Sequence, residues 1–172
     1  MNPLTPTKTP EGIGDFMLPF VTIQFKKPPI FDTFIPGIPK TQGSKNAIPF
    51  MWNGKIRSRV IENNHTDLKS WRHDVGWGVK MAFKRSEPLR DPIFLVLDFY
   101  RPRPKQHYLK QGNISPTAPT WPATKPDLDK LIRAIKDSMT AIVYMDDGQV
   151  VGMIPFKFFG RNPGVRIRVW SI

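Results

Sequence analysis

The sequence predicts a single α+β domain, a mixed β-sheet with two main helices packed on it. Three observations carry that expectation. A chain of 172 residues is long enough for one well-buried core and short for two. Ile93 to Leu97 is an unbroken apolar run, as in a central strand covered on both faces. Two other stretches, Leu68 to Phe83 and Leu128 to Met139, repeat apolar residues every three or four positions, which marks helices with one buried stripe.

Residues 1–28 read as an N-terminal extension, partly flexible, broken by Pro3, Pro6 and Pro10 and loosened by Gly12 and Gly14. Within it Val21, Ile23 and Phe25 alternate as in a short edge strand. The domain proper is expected over residues 29–172. Ile30 to Ile35 reads as its first core strand, ended by Pro36 and Gly37, and Gln42-Gly43-Ser44-Lys45 is loop chemistry. Ile48 to Trp52 and Lys55 to Ile61 flank Asn53-Gly54, a pair that tolerates the positive φ of a two-residue hairpin turn. Pro49 limits the first arm to an edge, and Lys55, Arg57 and Arg59 make one face of the second arm basic.

The first helix is expected to begin near Thr66, capped by Thr66 or Asn64, and to bury Leu68, Trp71, Val75, Val79 and Phe83. Gly76 and Gly78 weaken it intrinsically and allow close approach to the sheet. After the central strand, a Pro-rich basic segment runs to Thr124, well beyond ordinary loop length. Pro126 suits the first position of the second helix. Gln149 to Phe159 and Val165 to Trp170 close the chain as two strands, expected to pair antiparallel across Gly160-Arg161-Asn162-Pro163-Gly164.

Composition narrows the function classes. The absence of cysteine excludes disulfides, zinc–thiolate sites and thiol nucleophiles. No apolar run approaches the ~20 residues of a membrane span, so no membrane partner is expected and a cytoplasmic location is the default. Lys plus Arg number 26 against 14 Asp plus Glu, a net charge of +12 that points to a polyanionic partner such as nucleic acid.

Against that background four acids concentrate in two short segments, Lys125-Pro126-Asp127-Leu128-Asp129 and Met145-Asp146-Asp147-Gly148-Gln149. Taken singly, each has a plain structural reading. Asp127 and Asp129 meet the positive end of a helix dipole, and Asp146-Asp147-Gly148 is turn chemistry. Together, in so basic a chain, they read as oxygen ligands for a hard cation such as Mg²⁺. Such an ion beside a phosphodiester is the chemistry of a metal-dependent nuclease. Arg133 lies four residues beyond Asp129 on the same helix face, and Asp137 is expected to be structural, pairing with Arg133 at the same spacing or capping the loop. Arg101, Arg103, Lys105, His107 and Lys110 form a basic loop with Tyr108 and Trp121, suited to phosphate contacts and base stacking.

The two acidic segments, with Arg133 and Tyr144-Met145-Asp146-Asp147-Gly148-Gln149-Val150, resemble the RusA family of crossover junction endodeoxyribonucleases (Holliday junction resolvases) of phages and prophages. Gly37-Ile38-Pro39-Lys40 and the segment from Phe99 to Tyr108 are weaker parts of the same resemblance, which spans residues 31–170. It implies a RusA-like fold and a homodimer that binds branched DNA at a four-way junction. It further implies paired nicks that depend on Mg²⁺, with Mn²⁺ as a substitute. It implies metal ligation by Asp127, Asp129 and Asp147, with Asp146 beside them, and a catalytic basic role for Arg133. Lys40, Lys45, Arg101, Arg103, Lys105, Lys125 and Lys130 are the expected DNA contacts. Two positions depart from the family pattern: Lys130 stands where Asn is usual, and Arg133 where Lys is usual, which trades a point charge for a planar fork. A nuclease for other branched DNA, a non-enzymatic DNA-binding protein and an RNA-binding module are the rival readings.

Overall fold

In chain order the elements are β1 (Asp15–Leu18), β2 (Val21–Gln24), β3 (Phe31–Pro36), β4 (Lys45–Trp52), β5 (Lys55–Glu62), α1 (His65–Phe83), β6 (Ile93–Arg101), α2 (Leu128–Met139), β7 (Val150–Phe159) and β8 (Gly164–Ser171). Short 3-10 turns lie at Lys105–His107 and Asp147–Gln149. The computed structural model describes residues 15–18, 21–24, 27–42, 45–62 and 65–172. Asn64, Gly43, Ser44 and Phe25, named above as cap, loop and strand residues, lie outside that set, as do residues 1–14 of the expected extension.

The main sheet runs β3-β8-β6-β7. Strand β6 is its hub because its alternate residues are apolar on both faces. Ile93, Leu95, Leu97 and Phe99 are fully buried beneath the helices, and Val96 packs with Ile154 and Trp170 on the opposite face. It pairs antiparallel with β8 and parallel with β7. The two closing strands therefore do not pair with each other, contrary to the expected hairpin. Both hydrogen-bonding edges of β6 are taken, one by each strand. The turn at residues 160–164 carries the chain past the end of β6, where the Gly160 N–H donates to the Arg101 carbonyl at 2.9 Å.

The helices form one layer. Trp71, Val75, Val79 and Phe83 of α1 join Leu131, Ile135 and Met139 of α2 in a single core with Ile35, Val165, Ile167 and Val169. Gly78 makes this approach possible, since a Cβ there would come within 2.3 Å of Ile35 Cδ1. The expected Asn-Gly turn is also present: Asn53 and Gly54 have φ of 49° and 70°, joining β4 to β5 in register. Sequence reading gave no strand over residues 15–18, yet β1 pairs with β2 there.

Candidate active site

The parallel pair β6 and β7 is joined through α2, and both acidic segments lie on that crossover. The first is suspended from the strand ends by two cations. Arg101, at the end of β6, donates to the Lys125 carbonyl at 2.6 Å. Lys157 in β7 donates to the carbonyls of Thr124 and Pro126 at 3.1 and 3.0 Å. Its pKa is lowered first by burial and then by the nearby Arg101 charge. The chain then turns into α2 with Asp127 as N-cap, its backbone extended at φ −69° and ψ 140°. Pro126 therefore precedes the cap and does not open the helix as expected. The Lys125–Pro126 peptide is cis.

Asp127 does not use its carboxylate to cap. Its carbonyl accepts the Leu131 N–H at 3.3 Å, and its Oδ2 lies 3.0 Å from Lys130 Nζ. The Lys130 hydrogen bond and charge hold this carboxyl below its ordinary pKa. Asp129 and Arg133 are exposed, and their side chains carry no hydrogen bond or ion pair among the described residues. Asp137 pairs with Arg72 of α1 at 3.6 Å, and not with Arg133 as expected. The side of α2 that bears Asp137 faces its helical neighbour, and a partner 65 positions earlier in the chain is closer than one on the next turn.

The second segment follows the end of α2. Asp146 caps the 3-10 turn through a reciprocal box: its Oδ1 accepts from the Gly148 N–H at 2.7 Å, while Gln149 Oε1 accepts the Asp146 and Met145 N–H groups at 3.0 and 2.8 Å. Gln149 Nε2 donates to the carbonyls of Leu89 and Asp91, both at 3.0 Å, so one side chain ties the turn to the loop before β6. With Asp146 turned to its own backbone, Asp147 is left to face α2, where its Oδ2 lies 3.2 Å from Lys136 Nζ. The buried Tyr144 hydroxyl donates to the Lys136 carbonyl at 2.9 Å and holds that end of the helix against the turn. Burial, then the charges of Asp147 and Asp137, raise the Tyr144 pKa far above its ordinary value, so it remains a neutral donor.

The donor chemistry suits a hard divalent cation, because every acid offers carboxylate oxygens. Among the described residues, however, no group of three or more His, Asp or Glu side chains lies close enough together to hold an ion. Lysine ammoniums stand against Asp127 and Asp147. Mg²⁺ commonly takes only one or two carboxylates and completes its octahedron with water and substrate phosphates, so a three-acid cage is not required.

Of the expected DNA contacts, Lys105 and Lys125 are exposed, and Lys40 bridges to Asp67 at 2.8 Å. Lys45 opens β4, and its side chain lies outside the described residues. Arg101 and Arg103 both order the long loop. Arg103 donates to the Pro119 carbonyl at 2.8 Å and covers the Phe159 ring at 4.4 Å. Sequence reading overlooked Lys157, Lys136 and the positioning role of Gln149. Two signals were present. Asp146-x-x-Gln149 has the spacing of a capping box, and Lys157 is a lone cation within the aromatic run Phe156 to Phe159.

The sequence model of the family described as Endodeoxyribonuclease RusA matches residues 49–170, from within β4 to the last strand. The chain belongs to the RusA family. That RusA match takes in both acidic segments, α2 and the whole β6–α2–β7 crossover. The chain is also similar to a protein of Bacillus subtilis (strain 168) named Uncharacterized protein YqaN, at 31% identity over 83 residues, 47% of this chain and 58% of that relative. The matched region thus spans little more than half the length of the relative. No helix among the described residues of this RusA-family chain is long and apolar enough to cross a membrane.

Proposed function

We propose that the protein is a divalent-metal-dependent endodeoxyribonuclease that acts on branched DNA, with the four-way junction as its substrate and paired nicks as its product. One observation carries the reading: the family match covers a crossover whose helix has one acidic segment at its start and another beyond its end, in a chain of charge +12. Asp127 and Asp129, with Asp147, are the residues that would hold Mg²⁺ or Mn²⁺. When bound, such an ion lowers the pKa of water and neutralises charge on the leaving oxygen.

The chain's own residues have separate parts in this reading. Lys157 and Arg101 fix the backbone that presents Asp127. Gln149 fixes the turn that presents Asp147. Arg133, unpaired on the exposed face of α2 among the described residues, meets phosphate charge. Lys105, Lys125, Lys130 and Lys40 steer and hold the DNA backbone without reading sequence. A homodimer with two-fold symmetry would set two such sites on opposing strands of a junction.

The test is to incubate the protein with an end-labelled four-way junction, with and without Mg²⁺ or Mn²⁺, and map the cuts. Symmetric metal-dependent nicks are expected. They should disappear in Asp127→Asn, Asp129→Asn and Asp147→Asn while junction binding persists. Full-rate nicking by these variants would remove the acids from the reaction. A second reading, a non-enzymatic DNA-binding protein, is favoured by the lysines seated on Asp127 and Asp147. Tight junction binding with no metal-dependent product would establish it.

A further inference from the structure

The hairpin of β4 and β5 is an unusual element for a single domain. Among the described residues its two eight-residue strands pair only with each other in a two-stranded sheet, joined by the tight turn at Asn53-Gly54. Every residue from Pro49 to Ser58 is exposed, so no layer formed by the described residues covers either face of its outer half. Yet that half is rich in large apolar side chains: Phe50 is 41% exposed, Trp52 57%, Met51 71% and Ile56 78%. An isolated two-stranded hairpin is marginal in water, and exposed apolar residues at this density mark an interaction site.

The register sorts the side chains. Phe50 pairs with Arg57 and Trp52 with Lys55, so aromatic rings and cations share one face. Met51 pairs with Ile56 on the other face, at the tip. Over residues 45–62 the sequence carries Lys45, Lys55, Arg57 and Arg59 against a single acid, Glu62, which lies at the base of the arm. An apolar surface meant for another protein usually sheds charge at its centre. This one interleaves cations with aromatics, the pattern of a surface for stacked bases and phosphates. A two-stranded ribbon fits the major groove, which is about 12 Å wide, and eight residues of strand extend about 27 Å, several base pairs along it.

From these observations we infer that the β4–β5 hairpin is a DNA-gripping arm. It lies along a groove of one duplex limb of the branched substrate, with Lys55 and Arg57 on phosphates and the apolar tip of Met51, Trp52 and Ile56 against sugars and bases. This inference rests on the reading of the protein as one that acts on branched DNA, and it adds a contact separate from the acids of the α2 crossover.

The test is binding of the full-length protein to a fluorescein-labelled four-way junction in EDTA, followed by anisotropy from 50 to 200 mM salt. The double variant Lys55→Ala/Arg57→Ala should lose about two phosphate contacts, lowering the slope of log K against log salt by about 1.8. Trp52→Ala should weaken binding several-fold with the slope unchanged. All three side chains are exposed, and far-ultraviolet circular dichroism checks that each variant folds. Should the double variant not fold, Met51→Lys replaces it and should steepen the slope by about 0.9. Wild-type slope and affinity in these variants would overturn the inference. So would a change in association state by light scattering with DNA binding intact, since the arm would then join two copies of the chain. Arm-dependent binding without any metal-dependent cut would leave the inference standing and sink the nuclease reading. Wild-type cutting with an indifferent arm would do the reverse.

Discussion

Asp98 in β6 and Arg168 in β8 are directly hydrogen-bonded across the sheet face away from the helices. Asp98 is 5% exposed, and the Arg168 side chain is 22% exposed. The contact uses one oxygen and one nitrogen, leaving Asp98 Oδ1 and Arg168 Nε buried without a partner among the described residues. Burial raises the Asp98 pKa in spite of the opposing pull of Arg168 and Arg166, so desolvation outweighs the attraction. Removing one member should therefore be costly, while removing both should not. Breaking a buried pair typically costs 3–5 kcal/mol. Arg168 keeps some access to water, so about 2–3 kcal/mol is expected for Asp98→Ala. With a urea m-value of about 2 kcal/mol/M, the midpoint should fall by 1.0–1.5 M. The double variant Asp98→Val/Arg168→Met should return to within about 1 kcal/mol of the parent. The sign of the pH effect follows from the raised pKa. The Asp98 proton contributes stability that is fully present below the unfolded value of about 3.9 and is lost as pH rises through the raised folded value. The parent should thus lose stability relative to Asp98→Asn as pH increases across that window. The measurement is a set of urea titrations by tryptophan fluorescence over pH. A cost below about 0.5 kcal/mol for Asp98→Ala, or a double variant as damaged as the sum of the singles, would refute the reasoning.

Other outcomes follow from the same structure. Gln149→Ala should cut nicking at least tenfold and leave junction affinity within about twofold, because it releases the turn bearing Asp147; the paired assays are single-turnover cleavage and anisotropy. Tyr144→Phe removes a buried donor from the Lys136 carbonyl and should cost about 1 kcal/mol in urea titration. At Gly164 a Cβ would come within 2.5 Å of the Ile35 carbonyl oxygen and 2.4 Å of Phe34 Cζ, so Gly164→Ala should destabilise by about 1–3 kcal/mol, read as a lower thermal midpoint.

The local devices of this protein were legible in the chain. The Asn53-Gly54 turn, the four-residue stripe of α1 and the two-sided burial of β6 each depend on neighbours within a few positions, and a residue's own chemistry states them. The family was legible too, because the acidic segments keep their spacing. Gln149 was half legible: its capping box can be read from spacing, but its grip on the Leu89 and Asp91 carbonyls cannot.

The sequence by itself determined which faces are apolar, where the chain turns and where the carboxylates concentrate, since periodicity and turn chemistry act over short range. The tertiary structure alone decided strand order and charge partners. It placed β6 between the two closing strands, set Asp137 against Arg72, and turned Lys136 onto Asp147. Hydrogen-bonding edges and ion pairs are indifferent to sequence separation. They go to whichever group the packed layers bring nearest, and that is fixed only when the whole core has formed.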